Sequence, residues 1–370
     1  MPSLYIGLMS GTSLDGVDGV LVDFSARHHP QVLSYQAIPF DAQLRHTMLA
    51  LNTPAENELH HAALAANRLV RLYADTVQAL LLASGRQAKD IQAIGAHGQT
   101  VRHQPGAYDG TGYTLQLNNP SLLAELTGID VVADFRSRDV AAGGQGAPLV
   151  PLFHQGMFGS PDQTVCVLNL GGIANLSVLH ASGEVQGFDC GPGNALLDHW
   201  CQLHTGQPFD HDGGWARSGQ VIESLLLTML SEPFLHHAPP KSTGRDLFHP
   251  AWLAQQLQGF STLTATDVQA TLTEFTARAC VNDVLRHAPQ AGQLLVCGGG
   301  ALNGWLMTRL QQGLPKLHVS STAERGLPPL QVEAAAFAWL ARQTTLRLPG
   351  NSPKVTGAQG ARILGGVFPA

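Results

Sequence analysis

Charged residues are scarce in this sequence of 370 residues, at 13% of the chain, about half of the share that is usual in soluble proteins. The formal net charge is −6 at pH 7, so we do not expect nucleic acid or an anionic membrane as a partner. Hydrophobic residues make up 44%, which predicts a compact buried core rather than disorder. The sequence contains no run of about 18 apolar residues and no basic start followed by an apolar stretch, so we expect neither a membrane span nor a signal peptide.

Cysteines with the spacing of a redox or metal motif are absent. The chain has five cysteines, an odd number, without any C-x-x-C spacing: Cys166, Cys190, Cys201, Cys280 and Cys297. This usage predicts reduced, mostly buried thiols and a cytoplasmic protein.

Several familiar catalytic motifs are missing as well. Lys241-Ser242-Thr243 has the end of a P-loop, but residues His236–Pro240 lack its glycines. There is no H-E-x-x-H and no G-x-S-x-G sequence. Histidine pairs occur only as direct neighbours, such as His60-His61, which is not the spacing of a metal site on one helix face. We therefore expect neither zinc chemistry nor serine hydrolysis.

Apolar segments and helical patterns follow in the same order in both halves of the chain. The first half predicts three strands, two helices and a fourth strand: Leu4–Met9, Gly19–Phe24, Val32–Phe40, Asp41–Leu51, Glu56–Ser84 and Ile91–Ala96. The second half repeats three strands, a long helix, a strand and two helices: Thr164–Leu170, Asn175–Leu179, Glu184–Phe188, Asp267–His287, Gln293–Cys297, Leu302–Gln312 and Gln331–Arg342. Thr266 and Gln269 fit a capping box for the long helix.

This repeated order predicts an α/β fold of two similar lobes with a ligand-binding cleft between them. A chain of 370 residues is also longer than one hydrophobic core usually supports. We expect an N-terminal lobe of residues 1–150 and a C-terminal lobe of residues 151–370. The boundary should fall within Gly143–Pro161, a segment with glycine and proline and no strong period.

Two glycine-rich turns stand at equivalent places in the two halves. The first, Gly11-Thr12-Ser13-Leu14-Asp15-Gly16, combines backbone N–H groups, hydroxyls and carboxylates, and it is followed by Val17 and Asp18. Such a turn can form an anion nest, and Asp15 or Asp18 could hold Mg²⁺ through water. The second turn contains Gly171-Gly172. Either turn alone could be an ordinary hairpin, but the two together favour a phosphate clamp.

Asp189 and the Gly298–Asn303 segment each join a strand to a helix. A carboxylate at a strand end is suited to act as a general base, although Asp189 could instead cap the helix that begins near Asn194. The glycines Gly298-Gly299-Gly300 allow a ring or a phosphate to approach the backbone, or they allow close packing of the helix on the strand.

Four further polar residues have two interpretations each. Glu333 is the only charged residue in Val332–Ala341, an otherwise apolar stretch of helix, so it lies either on a solvated edge or against a ligand. Arg136 and Arg138 precede Gly143-Gly144 and could pair with a substrate carboxylate, or they could belong to a surface loop. His97, beside Gly98-Gln99-Thr100, offers hydrogen bonds of the kind that sugars make, but a lone histidine is more often structural.

The motifs together resemble the anhydro-N-acetylmuramic acid kinase family, and the resemblance covers essentially the whole chain. It is carried, in chain order, by Met9–Asp18, His97-Gly98-Gln99-Thr100, Asp134-Phe135-Arg136 to Gly146-Ala147-Pro148, Phe188-Asp189-Cys190-Gly191-Pro192-Gly193-Asn194, Lys241-Ser242-Thr243-Gly244-Arg245, Gly298-Gly299-Gly300-Ala301-Leu302-Asn303 and Glu333-Ala334. Cys190 stands where the family pattern leads us to expect Thr.

The resemblance implies the actin-like ATPase (ribonuclease H-like) superfold, two similar lobes with an intervening active-site cleft. It also implies a double reaction on 1,6-anhydro-N-acetylmuramic acid. Water opens the intramolecular anhydro bridge, and the freed sixth oxygen takes the γ-phosphoryl group of ATP. The products are N-acetylmuramic acid 6-phosphate and ADP, in the recycling of cell-wall peptidoglycan. Family members are homodimers whose lobes close on the substrate.

The resemblance also implies roles for individual residues. Asp189 would activate the water, Glu333 would orient or stabilise the sugar, and Arg136 or Arg138 would meet the lactyl carboxylate. ATP and Mg²⁺ would be held by Gly11, Thr12, Ser13, Leu14, Asp15, Gly16, Val17, Asp18, Gly171, Gly172, Gly298, Gly299 and Asn303, with Asp15 and Asp18 as the candidate metal ligands. The sugar would be bound by His97, Thr100, Arg136, Arg138 and Gly144.

Two other functions are compatible with the same fold. One is a kinase for a plain sugar or an acid. The other is a nucleotide-driven binding module like the heat-shock chaperones, which need a separate peptide-binding region; here no segment is left over after the two lobes.

Overall fold

The computed structural model describes residues 3–11, 13–25, 30–244 and 247–370. The chain forms two compact units. The first contains Met1–Met157 together with Gln331–Ala370, and the second contains Phe158–Leu330.

The first unit is built on a seven-stranded mixed sheet. Its strands are β1 (Leu4–Ser10), β2 (Gly16–Asp23), β3 (Gln31–Pro39), β4 (Ile91–Pro105), β5 (Gly112–Leu117), β6 (Val131–Ala133) and β12 (Gly366–Phe368). The order across the sheet is β12-β6-β4-β1-β2-β3, and β5 pairs with β4. The first three strands form an antiparallel meander, whereas β4 runs parallel to β1 and β6 runs parallel to β4.

The second unit repeats this arrangement in a five-stranded sheet. Its strands are β7 (Val165–Leu170), β8 (Ile173–Leu179), β9 (Val185–Pro192), β10 (Gln293–Cys297) and β11 (His318–Ser321). The order is β11-β10-β7-β8-β9, with β7 to β9 antiparallel and β10 parallel to both β7 and β11. Each unit therefore places its first strand between its second and fourth strands, and the predicted duplicated α/β topology is confirmed.

Helices cover the sheets. They are α1 (Ala42–Ala50), α2 (Glu58–Ser84), α3 (Pro120–Thr127), α4 (Ser137–Ala141), α5 (Pro151–Phe158), α6 (Ala195–Thr205), α7 (Gly214–Arg217), α8 (Glu223–Leu230), α9 (Pro250–Gln256), α10 (Ala265–His287), α11 (Gly304–Gly313), α12 (Val332–Thr345) and α13 (Pro353–Thr356). No helix among the described residues is long and apolar enough to cross a membrane.

Local sequence explains where several helices begin and end. The carboxylate of Asp41 accepts the N–H of Leu44 at 2.8 Å and caps α1, and left-handed glycines end α2 and α3. The capping box expected for α10 is wrong. The cap is Thr264, whose hydroxyl accepts the N–H of Asp267 at 3.1 Å, so the helix begins earlier than predicted. The hydroxyl of Thr266 instead accepts the indole N–H of Trp215.

Each unit has its own apolar core. In the first unit, α2 buries one face against the sheet, with buried residues at helical spacing: Ala65, Ala66, Leu69, Val70, Tyr73, Thr76, Val77 and Leu80. In the second unit, α10 lies between two apolar clusters, one on the sheet and one with α6, α8 and α9. All five cysteines, which lie within the described ranges, are buried thiols rather than disulfides, as predicted.

The alanine-rich helix α12 packs directly on the backbone of β1 and β4. Gly7 and Gly95 are register partners on these two strands, and a Cβ on either would overlap a backbone oxygen of α12, that of Ala334 or Phe337. The last 40 residues of the chain are therefore part of the first unit, which corrects the expected lobes of residues 1–150 and 151–370. The boundary at Met157/Phe158 falls within the expected segment Gly143–Pro161, seven residues after the expected last residue of the first lobe, residue 150.

Candidate active site

The first glycine-rich turn connects β1 to β2. The N–H of Leu14 donates to the carbonyl of Gly11 at 3.2 Å, and Leu14 adopts a left-handed backbone with φ of 57°. The hydroxyl of Ser13 donates to the carboxylate of exposed Asp15 at 2.8 Å. Thr12 lies outside the described residues. The other predicted residues of this turn begin strand β2: Gly16, Val17 and Asp18.

Asp18 provides the more shielded carboxylate of this turn. Its Oδ1 accepts the hydroxyl proton of Tyr35 on β3 at 2.6 Å. Burial raises the pKa of Asp18 to about 6; the Tyr35 hydrogen bond opposes this shift and the Asp15 charge adds to it. Asp18 is thus mainly ionised at neutral pH. Among the described residues, no cluster of three or more His, Cys, Asp or Glu side chains is arranged to hold a metal ion. Two carboxylates nevertheless suffice for Mg²⁺ when phosphates and waters complete its shell, so Asp15 and Asp18 fit a magnesium–nucleotide complex.

A buried network ties the first turn to strand β4. The hydroxyl of Tyr73, from α2, lies 3.1 Å from Ser10 Oγ and accepts the N–H of Gly98 at 3.1 Å. Ser10 Oγ donates to the carbonyl of Gly98 at 3.0 Å, and the amide of Gln99 donates to the carbonyl of Gly11 at 3.1 Å. Sequence reasoning gave Tyr73 no role, because nothing in its local pattern distinguishes it from the other buried residues of α2.

His97 and Arg136 contact each other directly. Nε and Nη2 of Arg136 lie 3.1 Å and 3.0 Å from Nε2 of His97, and Nη1 donates to the carbonyl of Gly146 at 2.8 Å. Because a guanidinium only donates, Nε2 of His97 must accept and its proton must lie on Nδ1. Burial and the charge of Arg136 hold the pKa of His97 well below its usual range. His97 is therefore a neutral acceptor that orients Arg136.

The remaining predicted sugar-binding residues of the first unit have different surroundings. Thr100, on β4, accepts a hydrogen bond from the amide of Gln116 at 3.2 Å. Arg138 is exposed on α4, whereas Arg136 is half-buried. The structure therefore places the two candidate arginines in unlike environments.

Gly144 belongs to a loop that is organised by the fully buried carboxylate of Asp139. Oδ2 of Asp139 accepts the N–H of Gly146 at 2.8 Å, and Oδ1 accepts Asn351 Nδ2 at 2.5 Å and the hydroxyl of Thr356 at 2.8 Å. A Cβ on Gly144 would overlap this carboxylate. Gly144 is thus required by packing, and Asp139 is an organising residue that the sequence did not identify.

Glu333 lies in the first turn of α12, within the first unit. It is half-buried, so its exposure is intermediate between that of a solvated helix edge and that of an enclosed ligand contact, the two alternatives from the sequence. A carboxylate at this position also interacts favourably with the helix dipole.

The second glycine-rich turn, Gly171-Gly172, is held by the start of α6. The carbonyl of Gly172 accepts the N–H groups of Gly193 and Ala195 at 3.0 and 3.1 Å, and that of Gly171 accepts the N–H of Asn194 at 2.8 Å. The side-chain amide of Asn194 donates to the carbonyl of Leu170 at 2.9 Å. The turn after β7 is therefore fixed by backbone contacts, without a carboxylate of its own.

The Gly298–Asn303 segment follows β10, the parallel neighbour of β7. Gly298 has φ of 78° and its N–H donates to the carbonyl of Pro329 at 3.0 Å. Asn303 caps α11 by accepting the N–H of Leu306 at 3.0 Å. The carboxyl ends of two adjacent parallel strands thus bring both glycine turns of this unit together, which is where α/β sheets bind ligands.

Three of the predicted phosphate and adenosine glycines are not required by packing. A Cβ would meet its nearest neighbour at 3.6 Å on Gly11, 3.7 Å on Gly171 and 3.6 Å on Gly299, all ordinary contacts. By contrast, a Cβ on Gly298 or Gly300 would lie 2.5 Å from Asn169 Oδ1 or Leu170 Cβ. Packing therefore does not explain why Gly11, Gly171 and Gly299 are glycines. Space for a ligand beside the backbone is a physical reason that would explain them.

Asp189 lies inside strand β9 rather than at its end, because β9 continues to Pro192. The pairing with β8 shifts register at this point, so that Asn175 faces Asp189 and Ala174 faces Gly191. Cys190 is the additional residue of this bulge, a feature that redirects neighbouring side chains. Oδ2 of Asp189 accepts the N–H of Thr243 at 2.9 Å. The cap position of α6 belongs to Asn194, five residues later.

Comparison with known proteins places the chain among named relatives. The sequence matches the profile of the anhydro-N-acetylmuramic acid kinase family over residues 3–370. A protein of that name from Albidiferax ferrireducens is 60% identical over 390 residues, with 100% of both chains covered. Another from Variovorax paradoxus is 62% identical over 372 residues, with 99% of both chains covered.

Solved structures are similar only at a low level. An activator of the 2-hydroxyisocaproyl-CoA dehydratase from Clostridium difficile has 12% identity and a TM-score of 0.46, with 95% of this chain and 100% of that chain covered. A ROK family glucokinase from Streptomyces griseus has 13% identity and a TM-score of 0.42, with 92% and 100% covered. Similarities of this size do not bear on function.

The family match and the relatives define the chain first as a kinase, a phosphotransferase with a sugar acceptor. More narrowly, the chain belongs to the anhydro-N-acetylmuramic acid kinase family. The resemblance drawn from the motifs is thereby confirmed.

Proposed function

We propose that the chain uses ATP to convert 1,6-anhydro-N-acetylmuramic acid into N-acetylmuramic acid 6-phosphate and ADP, in the cytoplasmic recycling of cell-wall peptidoglycan. The observation that carries this proposal is the placement of Asp189. This residue is only 8% exposed, and its carboxylate is oriented by a strand bulge and by the N–H of Thr243. The substrate class comes from the relatives, which carry the kinase's name at 60% and 62% identity.

The reaction joins a hydrolysis to a phosphoryl transfer. Asp189 takes a proton from water, whose oxygen bonds to the anomeric carbon while the bond from that carbon to the sixth oxygen breaks. The freed sixth oxygen attacks the γ-phosphorus, ADP leaves, and one proton is released to solvent. The fixed orientation of Asp189 favours this step because a positioned base avoids the entropy of bringing base and water together.

Other residues bind and orient the two substrates. The first turn and the Gly171-Gly172 turn each donate backbone N–H groups to phosphate oxygens, and Gly298, Gly299 and Asn303 form the adenosine side of the site. Mg²⁺, held by Asp15 and Asp18, would neutralise charge on the phosphates. His97, Thr100 and Gly144 line the sugar site, with Arg136 or Arg138 at the carboxylate, and Glu333 orients the sugar. The active species is a homodimer.

Isotope-labelled water tests the coupled reaction. In H₂¹⁸O with ATP and the anhydro-sugar, we expect one ¹⁸O at the anomeric hydroxyl and none in the new phosphate ester, by mass spectrometry of rapidly quenched product. Unlabelled product incubated for the same time measures spontaneous exchange at the anomeric position. Label in the ester, or faster turnover of an ordinary hexose than of the anhydro-sugar, would contradict the proposed substrate and reaction.

The variant Asp189→Asn tests the proposed base. We expect kcat to fall by about a thousandfold or more, because a general base contributes about 10²–10⁴-fold and Asn cannot accept the proton. ATP binding, measured by calorimetry, should stay within twofold of the parent. Near-normal turnover by this variant would assign the base elsewhere, with Glu333 the next residue to replace.

A further inference from the structure

Lys241 begins the segment Lys241–Gly244, which resembles the end of a P-loop without being one. Its ammonium lies 3.0 Å from Oδ2 of Asp283 on α10, and the two side chains are only 3% and 2% exposed. The rings of Phe188 and Phe234 face the ammonium at 5.6 and 5.2 Å. A lysine enclosed in this way cannot extend to a phosphate, so the phosphate role of a P-loop lysine does not apply to it.

The same segment contacts Asp189 at two points. The carbonyl of Lys241 accepts the N–H of Asp189 at 3.1 Å, and the N–H of Thr243 donates to Oδ2 of Asp189 at 2.9 Å. One contact fixes the backbone of Asp189 and the other fixes its carboxylate. Strand β9 is the edge strand of its sheet, so this segment continues the hydrogen bonding of the sheet where Asp189 lies.

Stability alone is a weak reason for a buried ion pair. Removing two charges from water costs several kcal/mol per ion, and well-packed apolar residues of similar volume are often as stable or more so. What an apolar pair lacks is a directional bond between a particular lysine and a particular carboxylate. Asp283 is well suited to supply one, because α10 is fixed between two apolar clusters, for example through Cys280 on one side and Ala279 on the other.

We propose that the Lys241–Asp283 pair positions Asp189. The pair fixes the Lys241–Gly244 segment to α10, and the segment in turn holds the carboxylate of Asp189 in one orientation. Lys241 and Asp283 are thus positioning residues for the reaction, and this inference rests on the proposed role of Asp189 as the base. Arg286 and His287 also approach Asp283, at 3.8 and 3.9 Å, but both lie on α10 itself, so it is Lys241 that joins Asp283 to the segment.

The double variant Lys241→Met/Asp283→Leu tests the positioning role without leaving a buried charge unpaired. We expect it to fold, with kcat lowered by about 10- to 100-fold because a displacement of about 1 Å at a catalytic group has that effect. The KM for ATP should stay within twofold. Hydrogen exchange should show faster exchange at the amides of Asp189 and Thr243, and little change in the rest of β8 and β9.

Glu274→Gln is the matched control on the same helix. Glu274 is also buried in α10 and also ion-paired, with Arg309 at 2.6 Å and Arg278 at 2.9 Å. Its partners belong to α11 and α10, not to the Lys241–Gly244 segment. We expect it to lower thermal stability while kcat stays within twofold. If the double variant does not fold, Asp283→Asn, which keeps an oxygen for the ammonium, replaces it with the same expected direction in kcat and exchange.

The outcomes separate this inference from the proposed function. Parental kcat and amide protection in the double variant, beside an inactive Asp189→Asn, would overturn the positioning role alone. An equal loss of kcat in Glu274→Gln would also overturn the positioning role, because any destabilisation of α10 would then be enough to lower kcat. An active Asp189→Asn would overturn the assigned base, and with it this inference. A parent enzyme without anhydro-sugar turnover would instead overturn the proposed substrate.

Discussion

The two units share one strand order and differ in where their charged groups stand. Between β1 and β2 the first unit has residues 11–15, which include the carboxylate of Asp15, and a second carboxylate, Asp18, follows near the start of β2. Between β7 and β8 the second unit has only Gly171-Gly172, fixed by backbone N–H groups from the start of α6. The two sheets therefore share the path of the chain, but the turn after the first strand is acidic only in the first unit.

The third strands differ in the opposite sense. In the first unit, β3 contributes the neutral hydroxyl of Tyr35, which supports Asp18 on the neighbouring strand. In the second unit, β9 itself contains the carboxylate of Asp189, covered by the Lys241–Gly244 segment. The two units therefore share a topology but carry their carboxylates at different places. In the proposed function, the first unit would provide the carboxylates for the magnesium-bound phosphates and the second unit would provide the base.

The largest expected effect concerns the contact between α12 and the sheet of the first unit. Gly7→Ala should lower the free energy of unfolding by about 3 kcal/mol or more, because its methyl group would overlap the carbonyl oxygen of Ala334 and backbone must move. Urea unfolding of the variant measures this. Gly156→Ala is the control, since a methyl group there meets no neighbour within 4 Å. A parental midpoint for Gly7→Ala would show that α12 tolerates displacement.

The pH dependence of stability should distinguish the acidic first turn from the second. Because the folded-state pKa of Asp18 is raised to about 6, its contribution to stability is complete below the unfolded pKa near 4 and disappears as the pH rises through 6. Without nucleotide or metal, Asp18→Asn should be about 2–3 kcal/mol more stable than the parent at pH 7.5. The advantage should shrink toward pH 4.5. Asp162→Asn, at one exposed position of the second unit, is the control and should change stability by less than about 0.5 kcal/mol.

The two glycine turns should respond alike to an added methyl group if both bind phosphate. Gly11→Ala and Gly171→Ala should each raise the KM for ATP about tenfold, since the methyl group occupies ligand space, while the melting temperature stays near that of the parent because both positions have room. Gly193→Ala, which would overlap the carbonyl of Gly171, should instead reduce stability. An effect at Gly11 alone would restrict the phosphate contacts to the first unit.

The smallest expected difference lies in how each turn is supported. Asn194→Ala removes the hydrogen bond to the carbonyl of Leu170 and should cost about 1 kcal/mol of unfolding free energy. Ser13→Ala removes an exposed hydrogen bond to Asp15 and should change stability by less than about 0.5 kcal/mol. Thermal unfolding of both variants measures the difference. Equal losses would mean that side chains support the two turns equally.

Elements with local signals could be predicted from the sequence. The strands of both meanders, the strand Gln293–Cys297 and the glycine turns lie within a few residues of their predicted places, because alternating apolar runs and turn residues act over short distances. The strand with Asp189 was underestimated. It continues past Phe188 to Pro192 through a bulge at Cys190, and the sequence has no marker for an additional residue in a strand pair.

Features that depend on distant parts of the chain could not be predicted. The return of α12 to the first unit depends on contacts between Gly7, Gly95 and residues more than 240 positions later. The bonds of Asp139 to Asn351 and Thr356 and the pairing of Lys241 with Asp283 are likewise matches between remote polar groups. A single sequence gives the residue types but not the partner, so motif resemblance identified the candidate site and missed its supports.

The return of α12 also has a consequence for the order in which the protein is made. The second unit, Phe158–Leu330, is complete before residues 331–370 leave the ribosome, whereas the first unit is not. Until then, the face of β1 and β4 around Gly7 and Gly95 has no helix over it. One face of the sheet thus stays uncovered through most of the synthesis of the chain, and the first unit closes only when α12 arrives. An early stop codon just before Val332 would leave that face exposed.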